Sequence, residues 1–125
     1  SVAASRERID HHPGGILSIS ADGDRPDSAI VWAYTGSGGN GPGLLMAFRA
    51  LPDAATPDRL QQIWNSDACA GDAIEVGATF ASPSVSNGRV YVATGSNRVD
   101  VFGLIPPRPC AMAEQPEVSE HLNNF

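Results

Sequence analysis

The chain has 125 residues, 42% of them hydrophobic, and eight basic against fourteen acidic side chains give a net charge of −6. All eight basic residues are Arg and they are scattered, so no basic patch exists to steer toward phosphate, which excludes a nucleic-acid partner. No run reaches the ~18 apolar residues that cross a bilayer, so no membrane span is expected.

Taken in order, Ser1 to Pro13 (SVAASRERIDHHP) is polar and without periodicity, and reads as a surface arm. His11-His12 invites a metal reading, but adjacent side chains on a strand point apart and only Asp10 is near, so a solvent-exposed connector is expected. Gly15 to Ser20, Ala29 to Tyr34, Leu44 to Arg49 and Leu60 to Asn65 are four β-like runs. The acidic loop Asp22-Gly23-Asp24-Arg25-Pro26-Asp27 lacks the distal Glu of a Ca²⁺ loop and reads as a β-turn. Gly36 to Gly43 precedes a strand-like run instead of a helix, so it reads as an inter-strand loop and not as a phosphate cradle.

The densest stretch is Phe80 to Leu104, FASPSVSNGRVYVATGSNRVDVFGL. Ala81 to Val85 is closed by Ser86-Asn87-Gly88, and Asn-Gly between apolar runs is a strong hairpin signal because both residues accept positive φ. Val90, Val92 and Thr94 alternate with Tyr91, Ala93 and Gly95, the period of a pleated strand. After a second turn at Gly95-Ser96-Asn97, Val99, Val101 and Phe102 make a third strand. Such a small meander cannot hide both faces and needs neighbours. The upstream runs match it by type: GILSIS corresponds to SPSVSNG, IVWAYTGS to VYVATGS, and LLMAF to VDVFG. Repetition of a strand unit is the mark of a propeller or similar array, although the 60 residues from Val31 to Tyr91 exceed the ~40–50 of common blades.

The series Ala47-Phe48-Arg49-Ala50, then Ile63-Trp64, then Pro83-x-Val85-x-x-Gly88-x-Val90-Tyr91-Val92 resembles the repeat of quinoprotein-type (PQQ-like) β-propellers. The likeness covers about Gly14 to Leu104, with Arg49 standing where that family has an acidic turn residue and Pro52 to Arg59 widening the turn. It implies an all-β fold of roughly two antiparallel four-stranded blades in an incomplete ring. The expected divisions are a polar arm over 1–13, a first blade over 14–67, an inter-blade loop over 68–79, a terminal blade over 80–104 and a Pro-rich tail over 105–125. Trp64, Tyr91 and Phe102 are expected to pack blade on blade, and Trp32 either packs or lines a central channel.

Cys69 and Cys110 are the two cysteines, both in loops. They either bridge, restraining the unfolded chain by ~3–4 kcal/mol, or stay as thiols in a reducing compartment, or pair with cysteines elsewhere. The resemblance, with a composition free of Lys, favours a secreted or periplasmic protein. Pro106-Pro107-Arg108-Pro109 stops the sheet, and the tail beyond it is either a short helix from Glu117 or an unstructured end.

No nucleophile, base and acid set can be assembled: Glu75 and Asp100 are single carboxylates, and no Ser lies in an elbow motif. The resemblance therefore implies a binding or scaffold segment, completed by other segments or chains and holding no cofactor itself. The alternative is part of a quinone-dependent dehydrogenase whose PQQ, Ca²⁺ and catalytic residues belong mostly to the rest of the protein.

Overall fold

The computed structural model describes residues 15–36 and 40–103. The chain is all-β, built from two antiparallel sheets with no α-helix among the described residues. The first sheet is a four-stranded meander of β1 (Ile16–Ser20), β2 (Ile30–Gly36), β3 (Gly43–Arg49) and β4 (Gln62–Asn65). The second has three strands, β5 (Ser84–Ser86), β6 (Arg89–Ala93) and β7 (Val99–Gly103), so the expected fourth strand is not among the described residues. No closed barrel or ring forms among them. Nor is any described helix long and apolar enough to cross a membrane.

Local chemistry explains the strand ends. Asn87 and Gly88 adopt φ of 50° and 70°, the left-handed pair that a tight hairpin demands, and they join β5 to β6. Asn97, at φ 57°, turns β6 into β7, with Thr94 N–H donating to the Arg98 carbonyl at 3.0 Å. Between β3 and β4 the register shifts after Ala47, a bulge that leaves Ile63 exposed at the sheet edge.

The registers reveal how the two sheets correspond. Thr35-Gly36 at the end of β2 falls on Thr94-Gly95 after β6, and cross-strand pairing then fixes every other equivalence. Ser18-Ile19-Ser20 falls on Ser84-Val85-Ser86, Val31 on Val90, and Phe48 on Phe102. LLMAF and VDVFG thus correspond one residue out of step with the match drawn from sequence, which was made by residue type without pairing.

Because paired residues share a face, each sheet has a front and a back. The front of the first sheet carries Trp32, Tyr34, Leu45 and Ala47, and the back of the second carries Val85, Val90, Val92 and Phe102. These two faces meet: Tyr34, Leu45, Val90 and Val92 are buried together with Ile74, and Trp32, Trp64, Val85 and Phe102 pack around them. The stacking is front to back, so the second sheet repeats the orientation of the first.

Ile74 comes from the segment joining the sheets, which also stitches them at one end. Gly43 N–H donates to the Ile74 carbonyl at 3.0 Å, Gly77 N–H to the Gly41 carbonyl at 2.8 Å, and Gly95 N–H to the Val76 carbonyl at 2.9 Å. Two single-turn 3-10 helices, Ser66–Ala68 and Ala70–Asp72, lead into this segment, and the buried Ser66 hydroxyl accepts from Leu45 N–H at 3.2 Å.

Candidate functional site

Along β1 and β5 the two sheets are drawn together, where the Ser18 hydroxyl donates to the Pro83 carbonyl. Residues of both sheets also line a cleft of ≈ 1440 Å³, Ile19, Val99 and Val101 among them. Its first wall is Ser20, Trp32, Ala47 and Trp64 from the front of the first sheet, and its second is Val85, Val90, Asp100 and Phe102 from the back of the second. Asp22, Asn87 and Arg98 stand at its rim. An apolar cleft with a few polar groups aimed into it is the general form of a small-molecule or peptide site.

Each aromatic group is held by a different device. The Trp32 indole N–H donates to the Ser20 hydroxyl at 2.9 Å, which fixes the ring along the wall and satisfies its polar end. Trp64 meets Phe102 edge to face, with ring centroids 5.5 Å apart and an interplanar angle of 62°. That contact joins the outermost strand of one sheet to that of the other. The structure therefore brings Trp64 and Phe102 together, whereas Tyr91 lies on the opposite face of the second sheet, half-buried and pointing away from them.

Asp100 is the one acidic residue on its face of the second sheet. Its counterpart across the equivalence is Met46, and the other back-face positions of the second sheet, Val85, Val90, Val92 and Phe102, are apolar. Arg98 Nε donates to Asp100 Oδ1 at 2.8 Å, and Arg98 Nη1 lies 3.7 Å from Glu75 Oε2. The two carboxylates that sequence reasoning left single are thus joined through one guanidinium at the cleft rim. Asp100 holds the Arg98 guanidinium protonated beyond its ordinary range. A Ca²⁺ ion needs several converging oxygens, and no three His, Cys, Asp or Glu side chains converge among the described residues. These residues do not by themselves make a Ca²⁺ cage.

The acidic loop is a pair of turns. Arg25 N–H donates to the Asp22 carbonyl at 3.2 Å, Ser28 N–H to the Arg25 carbonyl at 3.2 Å, and the Arg25 guanidinium reaches Asp22 Oδ2 at 3.1 Å. The Asp22 and Arg25 carbonyls are engaged in the turns, as expected from residues that bond their own chain.

Tyr34 is a central residue that the sequence did not single out. Its hydroxyl accepts from Ala78 N–H at 2.9 Å, across 44 residues, and burial pushes its pKa up from the ordinary value, with the charge of Asp100 adding to the rise. Phe80 is another: it is 70% exposed and sits at φ 63°, a strained setting for an aromatic residue, just before the second sheet begins. Cys110, one of the alternatives for Cys69, lies outside the described residues, as do His11, His12 and the tail from Glu117.

Compared with protein-family models, with curated proteins and with solved structures, the chain has no match.

Proposed function

We propose that this chain forms two consecutive blades of a propeller-type array of the PQQ-like kind, in a secreted or periplasmic protein, and serves as a binding or scaffold segment. The observation that carries the reading is the front-to-back stacking of two sheets equivalent residue by residue, with Ile19 70% and Val101 50% exposed on the faces left over. A free-standing sandwich turns its polar faces outward. An array that continues keeps apolar side chains exposed, and Ile19 and Val101 support that reading. The cleft, walled by Trp32, Trp64 and Phe102 and rimmed by Asp22, Asn87 and Arg98, is where a partner or ligand contacts the array.

The reading parts from a quinone-dependent dehydrogenase by one measurement on the intact protein, supplied with PQQ and Ca²⁺ and then desalted. A binding or scaffold segment leaves no bound chromophore and supports no dye-linked oxidation. A stoichiometric visible chromophore together with dye reduction overturns the scaffold reading in favour of the enzyme.

A further inference from the structure

The cleft follows the edge of β7. Every residue of 98–103 lines it, Val99 and Val101 from the front of the second sheet as well as Asp100 and Phe102 from the back. Alternate side chains point to opposite sides of a sheet, so both sets border one space where that space runs along the strand. Tyr91 and Ala93, on the front of the inner strand β6, do not line it, so the cleft stays at the edge and leaves the front face alone.

The main chain at this edge is open. Thr94 N–H donates to the Arg98 carbonyl at 3.0 Å, and antiparallel alternation then turns the main-chain groups of Asp100 and Phe102 toward β6 and those of Val99, Val101 and Gly103 outward. Among the described residues no strand pairs with these three. The register equivalence places them on Leu45, Ala47 and Arg49 of β3. There the outward groups are taken up: Arg49 N–H donates to the Gln61 carbonyl at 2.9 Å, Leu45 N–H to the Ser66 hydroxyl at 3.2 Å, and Ala47 pairs with Trp64 of β4. A row of outward N–H and C=O groups is matched by another extended backbone.

The side chains around the edge choose among extended segments. Opposed residues of an antiparallel pair share a face, so a segment seated on β7 sets one side chain beside Phe102 and its neighbour Trp64, the next beside Val101, and the third beside Asp100. Apolar groups suit the first two positions. Three carboxylates, Asp22, Asp72 and Asp100, line the cleft against the single guanidinium of Arg98, so the third position suits Lys or Arg.

We propose that the edge of β7 takes an extended peptide segment of a partner protein as a fourth, antiparallel strand, with apolar residues opposite Phe102 and Val101 and a basic residue opposite Asp100. The proposal rests on the reading of this cleft as the contact site and names the class of its occupant.

Titration of the full chain with the probe acetyl-Thr-Leu-Val-Lys-Thr-amide, followed by amide hydrogen exchange, tests it. Saturation should slow exchange at Val99, Val101 and Gly103 by about tenfold, and leave Val92, whose partner is already Asp100, unchanged. The same peptide N-methylated at its Val should bind about tenfold more weakly, because the donor to the Val101 carbonyl is gone. A peptide with Glu in place of Lys should also bind more weakly. Val101→Pro removes an outward N–H and leaves the bonds to β6, so it should lose the peptide while keeping the wild-type near-UV circular dichroism of Trp32 and Trp64. If that variant does not fold, the N-methylated peptide reads the same backbone pair on the unaltered protein. Equal binding of either altered peptide, no slowing at the three edge amides, or slow exchange there before peptide is added overturns the proposal. In the last case the chain's own residues or a second copy hold the edge. Absence of a peptide complex leaves the scaffold reading to its own chromophore measurement, so the two fail separately.

Discussion

Tyr34 shows how one side chain ties two sheets. It stands on the front of β2, is buried against Leu45, Val90 and Val92, and accepts from Ala78 N–H in the linker. Its phenolate form is disfavoured by burial, so its folded pKa lies above the ordinary value of about 10. Above that pH the unfolded chain releases a proton that the folded chain keeps, so the contribution is complete below about pH 10 and is lost as pH rises through the raised value. The urea midpoint should thus fall between pH 8 and pH 11 in the wild type, and fall less in Tyr34→Phe. The variant should start lower at pH 8 by about 1–2 kcal/mol, because Ala78 N–H loses its acceptor. Equal pH dependence in both proteins would refute this account. Little of this role is legible in the sequence: Tyr34 reads as a strand residue, but its partner is 44 residues away and is a backbone group without a signature. Asn87-Gly88 is the opposite case, since a demand for positive φ is local and the residues announce it.

At the scale of elements, all seven strands follow runs visible in the sequence, with no end displaced by more than three residues. Period-two alternation places them because each sheet has two distinct faces. The segment from Ser66 to Pro83 behaves differently. It reads as a loop for want of alternation, yet it supplies Ile74 and Ser66 to the interior and bonds both sheets through Ile74, Val76 and Gly77. The reason is close approach: a Cβ on Gly77 would lie 2.7 Å from Gly36 Cα and 2.9 Å from Gly43 Cα. Backbone cannot rotate away as a side chain can, so Gly77→Ala should cost about 3 kcal/mol in urea unfolding. Gly71→Ala, in the same segment with nothing within 4 Å, should stay within about 0.5 kcal/mol of wild type. Similar losses for both would mean that the segment yields and is no clamp. The cleft is legible in part: Trp64 and Phe102 stand out as packing residues from their strand ends, whereas the ring pair they form depends on the stacking of the two sheets.

For the whole molecule, the question is whether two sheets make one cooperative unit. Three short strands bury too little to stand alone, and the interior of the second sheet is the first sheet's front. The linker adds backbone bonds to both, so neither sheet can open without breaking them. Both Trp residues, Trp32 and Trp64, belong to the first sheet and report its state. Val92, 0% exposed, belongs to the second. Val92→Ala should therefore lower stability by about 2 kcal/mol as read by Trp fluorescence, even though the altered residue is in the other sheet. Far-UV circular dichroism, which sees all strands, should give the same midpoint, as a two-state transition requires. If the Trp signal kept its wild-type midpoint while the circular dichroism transition shifted or split, the sheets would be separate units. Front-to-back contact would then be too weak to carry a stack of more than two sheets.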